Sequence, residues 1–355
     1  MNHVSPTSPR HVGRRLRRRG LLAGAVAAGL LLTGCGGGTG NEDAVADDGS
    51  VDLSKVTLIV GDQRSSSVRA LLEAADLADT PYDIEWKEFT SGPPMLESVN
   101  AGAVHVGLVG NTPPLFAAAA QGQFKMVQAV TYSGKGDAIL VPKDSPIQSV
   151  ADLAGKDVGV AVGSSANYNL LAQLSEAGVG YDEIEVKNLQ PADALAAFTS
   201  GSLDAWAVWD PFTSQAVIDE GARVLADGEE LVNGYNFQVA SDEAIDDTAT
   251  AAALEDYLAR VTEAQLWSGE HQQEWADVWA QQTGLTPEVT LAAAKQRPVT
   301  IVPIDEEVIA SEQEMADAFT ENGLLPESVD VADYFSDAFN DVTATQQSPT
   351  AGAAR

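Results

Sequence analysis

Residues 104–120 read VHVGLVGNTPPLFAAAA. The first six form a run short enough for a buried strand, apolar apart from His105 and Gly107. Asn111-Thr112 then offer capping side chains, and Pro113-Pro114 sit at a helix start, where a missing N–H costs nothing. An alanine-rich helix follows to residue 120. The same strand–turn–helix pattern surrounds this stretch. A strand over 56–60 (VTLIV) leads to a helix over 66–77 that carries Val68, Leu71, Leu72 and Ala75 on one face. Strands over 82–89 and 124–130 and a helix over 93–101 complete the unit. Such alternation predicts a mostly parallel sheet flanked by helices.

A second α/β unit follows. Strands are expected over 138–141, 157–162, 184–187 and 204–208, with helices over 150–153, from the Gly163-Ser164-Ser165-Ala166 turn to 177, and over 192–199. Asp210-Pro211 opens a further helix, Asp210 serving as its N-cap. A strand at 237–240 precedes helices over 250–267, 272–281, 287–295 and 305–320. The fold class is α/β. Ligands of open α/β sheets bind beyond the carboxyl ends of the strands, so two such units facing one another make a cleft.

The chain has 355 residues, 45% hydrophobic and 20% charged, enough for two lobes of one globular protein. A formal net charge of −32 argues against a nucleic-acid partner. The single cysteine excludes an internal disulfide framework and a cysteine-based metal site. Six arginines (Arg10, Arg14, Arg15, Arg17, Arg18 and Arg19) precede the 12-residue apolar run of residues 21–32, which is too short to span a bilayer. Residues 1–34 therefore read as a signal peptide. Leu32-Thr33-Gly34-Cys35 resembles a bacterial lipobox, which implies a lipid on Cys35 and a location outside the cytoplasm, held to the membrane by that anchor alone. Residues 35–55 read as a flexible acidic linker and 343–355 as a flexible tail.

Outside the leader only His105 and His271 remain, and no HExxH, GxSxG or phosphate-loop motif is present. Neither an enzyme nor a cofactor is indicated, and no metal site is expected. Trp206, Trp267, Trp275 and Trp279 are expected to pack in the interior.

The blocks at 92–97 (GPPMLE), 106–114 (VGLVGNTPP), 141–147 (VPKDSPI), 163–166 (GSSA), 190–194 (QPADA) and 201–211 (GSLDAWAVWDP) resemble the solute-binding proteins of ABC importers for aliphatic sulfonates. The resemblance covers about residues 56–341. It implies a two-lobed periplasmic-binding-protein fold of the type II kind. Lobe I would take 56–136 with 236–342, and lobe II 137–235. It also implies a monomer that delivers a sulfonate to a permease and an ATPase. Taurine or nitrate would suit the wider family, and a pyrimidine-precursor synthase shares the fold.

A sulfonate offers three acceptor oxygens and asks for donors rather than a full cation. Helix N-termini supply them. The candidates are Gln63, Arg64 and Ser65 after the first strand, Gly92, Asn111 with Thr112, and Ser164, Ser165 and Asn167. Helix capping is the competing role for most of these. Arg64 and Arg297 could fork onto an anion. Tyr132 lies near the crossover, Trp209 could pack on an organic tail, and Asp210 adjoins it.

Overall fold

The computed structural model describes residues 41–346. Its first strand–helix series is β1 (Thr57–Gln63), α1 (Val68–Ala74), β2 (Asp83–Phe89), α2 (Gly92–Asn100), β3 (Val106–Gly110), α3 (Thr112–Ala119) and β4 (Phe124–Thr131). The second is β5 (Ala138–Val141), β6 (Asp157–Val160), α4 (Ser165–Glu176), β7 (Glu185–Asn188), α5 (Pro191–Thr199), β8 (Ala205–Val208), α6 (Phe212–Asp219) and β9 (Arg223–Asp227). The chain then returns through β10 (Tyr235–Ser241), α7 (Asp242–Asp246), α8 (Thr248–Glu270), α9 (Gln272–Thr283), α10 (Pro287–Gln296), β11 (Thr300–Val302), α11 (Glu306–Glu321) and α12 (Asn340–Gln346).

Two sheets result, ordered β11-β4-β10-β3-β1-β2 and β7-β6-β8-β5-β9. In each, a strand that arrives directly from the other sheet runs antiparallel between its neighbours. β10 pairs Phe237 with Val109 of β3 and Ala129 of β4, and β5 pairs Ile139 with Ala207 of β8 and Ala226 of β9. The central pairs β1–β2, β1–β3, β6–β7 and β6–β8 are parallel. Loops at the carboxyl ends of these strands form the site.

Apolar side chains cover both faces of the first sheet. Leu58, Val60 and Val106 meet α1 and α8, while Phe237, Val239 and Met126 meet α2, α3 and α11. Burying each such side chain is worth about 1.5–3 kcal/mol. The second sheet encloses its own cluster, including Ile139, Val158 and Trp206. Trp206 is interior, as expected, against Phe198.

Three expectations are corrected. The linker expected over 35–55 is pinned to the fold at Asn41 and Ala44, while residues 45–50 stay exposed. Asn41 donates to Thr250 Oγ1 at 2.9 Å and accepts from the Thr57 N–H at 2.9 Å, and Ala44 enters the core. The tail expected from 343 begins as helix, with Thr343 buried and its hydroxyl donating to Asn340 O at 2.8 Å. Asp210 is not the N-cap itself. Pro211 holds that place behind a cis peptide, and the Asp210 carboxylate reaches past it to the Ser214 N–H at 2.9 Å. The short strands β9 and β11 and the one-turn helix α7 carry too few residues to show a period. The leader, Cys35 and residues 347–355 lie outside the described residues.

Candidate functional site

A cavity lies between the two sheets' loop ends. Eight of the expected residues line it: Gln63, Ser65, Gly92, Tyr132, Ser164, Ser165, Trp209 and Arg297. The two lobes touch around it. Ser91 Oγ and Thr90 Oγ1 donate to Gln190 Oε1 at 2.8 and 3.1 Å, and Ser165 closes on Gly110.

Two helices begin at the cavity from opposite sheets. α2 starts at Gly92 and α4 at Ser165, and neither has a side-chain cap. In α2 the next two residues are prolines, so the Gly92 N–H is the free donor of its first three positions. Gly92 is required there, because a Cβ would lie 2.5 Å from Pro113 Cγ. At α4, the Gly163 backbone takes φ +79° and brings the helix start in against Phe116. Ser164 Oγ is buried, lines the cavity and has no hydrogen-bond partner among the described residues. A buried hydroxyl without a partner is costly unless something fills its need.

Arg297, just beyond α10, brings a cation into the cavity. Its guanidinium lies 4.3 Å from the centre of the Tyr132 ring, and Nη1 donates to the Asp210 carbonyl at 3.3 Å. Asp137 also lines the cavity and accepts from Ser165 Oγ at 2.8 Å. Burial pushes its carboxyl up to about 6 against the Ser165 hydrogen bond and the Arg297 charge. Burial likewise raises Asp210, which stands behind Arg297. Trp209 meets Phe212 edge-on and turns part of its ring to the cavity.

Five expected residues do not line the cavity. Arg64 turns away and donates to the Thr283 carbonyl at the end of α9, lining a separate surface depression with Asp62 and Glu88. Asn111 donates to Asn233 Oδ1 at 2.7 Å, and Thr112 donates to Asn111 Oδ1 at 3.0 Å. Asn233 in turn donates to Glu312 Oε1 at 2.8 Å, so Asn111 and Thr112 tie α3 to the returning chain and α11. Asn167 spans Gly163 N and the Tyr181 hydroxyl, fixing the α4 turn. Asp210 caps α6 as described.

The loop after β1 is wrapped around Asp62. That carboxylate accepts from the N–H groups of Gln63 and Val68 at 2.9 Å and Arg69 at 3.3 Å, and burial pushes it up to about 6. The chain thus supplies its own anion at the start of α1. Gln63 spends its Nε2 on the Leu108 carbonyl at 2.7 Å and still lines the cavity. Sequence reasoning missed Asp137. Its signal is a lone acid between the Gly134-Lys135-Gly136 turn and an all-apolar strand. Ser66, Ser133 and Asn236 were missed as well and carry no comparable signal.

Among the described residues no group of three or more His, Cys, Asp or Glu side chains could hold a metal ion, and no helix is long and apolar enough to cross a membrane.

Residues 78–227 match the family model described as NMT1/THI5 like. The chain is 36% identical over 286 residues to a protein of Escherichia coli (strain K12) named for binding aliphatic sulfonates, a match covering 79% of this chain and 89% of that one. It is similar to the alkanesulfonate-binding protein SsuA from Xanthomonas axonopodis pv. citri bound to MOPS, with 34% identity and a TM-score of 0.74 over 79% of this chain and 98% of that one. It is also similar to the periplasmic aliphatic sulphonate binding protein SsuA from Escherichia coli, with 36% identity and a TM-score of 0.69 over 78% of this chain and 91% of that one.

Proposed function

The chain belongs to the aliphatic sulfonate-binding proteins, and on that premise we propose that it captures an aliphatic sulfonate outside the cytoplasm and delivers it to an ABC importer. It has the two-lobed periplasmic-binding fold and acts as a binding protein rather than an enzyme. The observation that carries the reading is the meeting of two uncapped helix starts from opposite lobes, Gly92 and Ser165, beside the partnerless Ser164 hydroxyl.

A helix N-terminus contributes up to about 2 kcal/mol toward a partly buried anion. Micromolar binding needs roughly 8 kcal/mol. Two helix starts, a hydroxyl and the Arg297 fork reach that scale together. Gln63, Ser65 and Tyr132 complete the head-group wall, and Trp209 offers an apolar face for the first carbons of the tail.

The wider arrangement belongs to the same reading. Residues 56–136 with 236–342 form one lobe and 137–235 the other. The leader is removed, Cys35 carries the lipid, and the monomer works with a permease and an ATPase. A thermal-shift screen tests the substrate class. Alkanesulfonates should raise the melting temperature more than sulfate esters, nitrate or taurine at equal concentration. A shift with nitrate alone would refute the sulfonate reading.

A further inference from the structure

A second cavity adjoins the first and shares Ser65, Ser66, Tyr132 and Arg297 with it. Beyond those shared residues its wall combines aromatic and polar groups. Trp275 and Trp279 stack with centroids 5.2 Å apart and line it. The Trp279 ring N–H is engaged by the Arg64 carbonyl at 3.1 Å. Gln265, on α8, is 1% exposed and lines the same space. No hydrogen bond of good geometry engages either atom of its amide among the described residues, and the Tyr132 hydroxyl is its one close polar neighbour, near enough for a weak hydrogen bond.

Buried amides in folded proteins almost always find partners. Stacked tryptophans beside a buried amide with hydrogen-bonding capacity to spare are complementary to a tail of carbon that carries an oxygen. We infer that this second cavity receives the organic tail of the sulfonate whose head group occupies the first, and that Gln265 selects tails bearing an ether or hydroxyl oxygen. The inference rests on the sulfonate reading above and adds the substrate's tail chemistry to it. Trp275 and Trp279 are then contact residues as well as packing ones.

The experiment is calorimetric titration with three probes: methanesulfonate, hexanesulfonate and 4-methoxybutanesulfonate, which matches the hexyl chain in length and carries one ether oxygen. The proteins are the wild type, Gln265→Leu and Gln265→Met. Methanesulfonate has no tail, so all three proteins should bind it alike, which also reports that the variants are folded. In both variants the preference for the ether over the hexyl probe should fall by about fivefold or more, the scale of one lost hydrogen bond. An unchanged preference in a variant that still binds methanesulfonate would overturn the tail assignment and leave the sulfonate reading standing. Failure of the wild type to bind any of the three probes would overturn both.

Discussion

The Arg297 guanidinium lies 4.3 Å from the centre of the Tyr132 ring, although 165 residues separate the two in sequence. Tyr132 follows the last residue of β4, and Arg297 follows the last residue of α10. The ring fixes the plane of the cation where the two cavities meet, with Asp137 and Asp210 in its field. The cavity therefore has a positioned fork without a net positive charge, and in the proposed reading the main-chain donors of α2 and α4 supply the remaining attraction.

Replacing Arg297 tests the fork. Arg297→Ala should weaken sulfonate binding by about 1.5–3 kcal/mol, the scale of a charged hydrogen bond. Arg297→Lys should fall between it and the wild type, because lysine keeps the charge and loses the planar face that rests on Tyr132. Titration calorimetry reads both. An Arg297→Ala protein that binds like the wild type would remove the fork from the site.

Asp137 makes binding depend on pH. Its carboxyl, raised to about 6, is ionised at pH 7.5 and neutral at pH 5, while a sulfonate stays anionic throughout. The ionised form repels the ligand, so affinity should rise as pH falls through 6, by at most about tenfold per unit for one linked proton. Asp137→Asn should bind with little pH dependence over that range. Affinity that falls on acidification in the wild type would contradict this role.

Burial pushes four carboxyls above their usual range: Asp62 and Asp137 to about 6, Asp210 upward, and Glu312 well above. The fold therefore holds protons that the unfolded chain releases above about pH 4. Stability should decrease as pH rises from there through 6, at about 1.4 kcal/mol per unit for each acid still protonated only in the fold. Glu312 accepts from Asn233 through Oε1, while Oε2 has no partner among the described residues. Glu312→Gln keeps that acceptor and removes the proton linkage. It should be more stable than the wild type at pH 7.5 and equal to it near pH 4. Urea unfolding across this range is the measurement, and a wild type that grows more stable from pH 4 to 7 would refute the linkage.

The proposed lipid on Cys35 has its own test. Cys35→Ser should move the protein from the membrane fraction to the soluble fraction, because the remaining leader is removed or too short to anchor it. A variant that still sediments wholly with membranes would exclude the lipid on Cys35.

The elements with strong periods were legible in the sequence. The strand around Val106 and the helices that open with Gly92 and Ser165 lie within one or two residues of where their patterns place them, while the strand around Leu58 runs three residues further, to Gln63. Arg64, Asn111, Thr112, Asn167 and Asp210 were not separable from the residues that line the cavity. A polar side chain at a loop–helix junction can face the ligand or satisfy the protein, and partners distant in sequence decide which. Asn111 is claimed by Asn233 and Arg64 by the Thr283 carbonyl. Residues 41–55 looked like linker because their composition is acidic and poor in large apolar groups, yet two Asn41 hydrogen bonds and Ala44 hold them to the fold. Asp137 was hidden because its importance comes from Arg297 and Ser165, neither of which is near it in sequence.

The most direct test is a crystal structure of the protein with butanesulfonate, with the ligand's sulfur located by its anomalous signal. The peak should lie within hydrogen-bonding reach, through the sulfonate oxygens, of Gly92 N and Ser165 N, beside Ser164 Oγ and the Arg297 guanidinium. A sulfur peak in any other place, or a ligand that contacts only one of the two helix starts, would contradict the site as assigned.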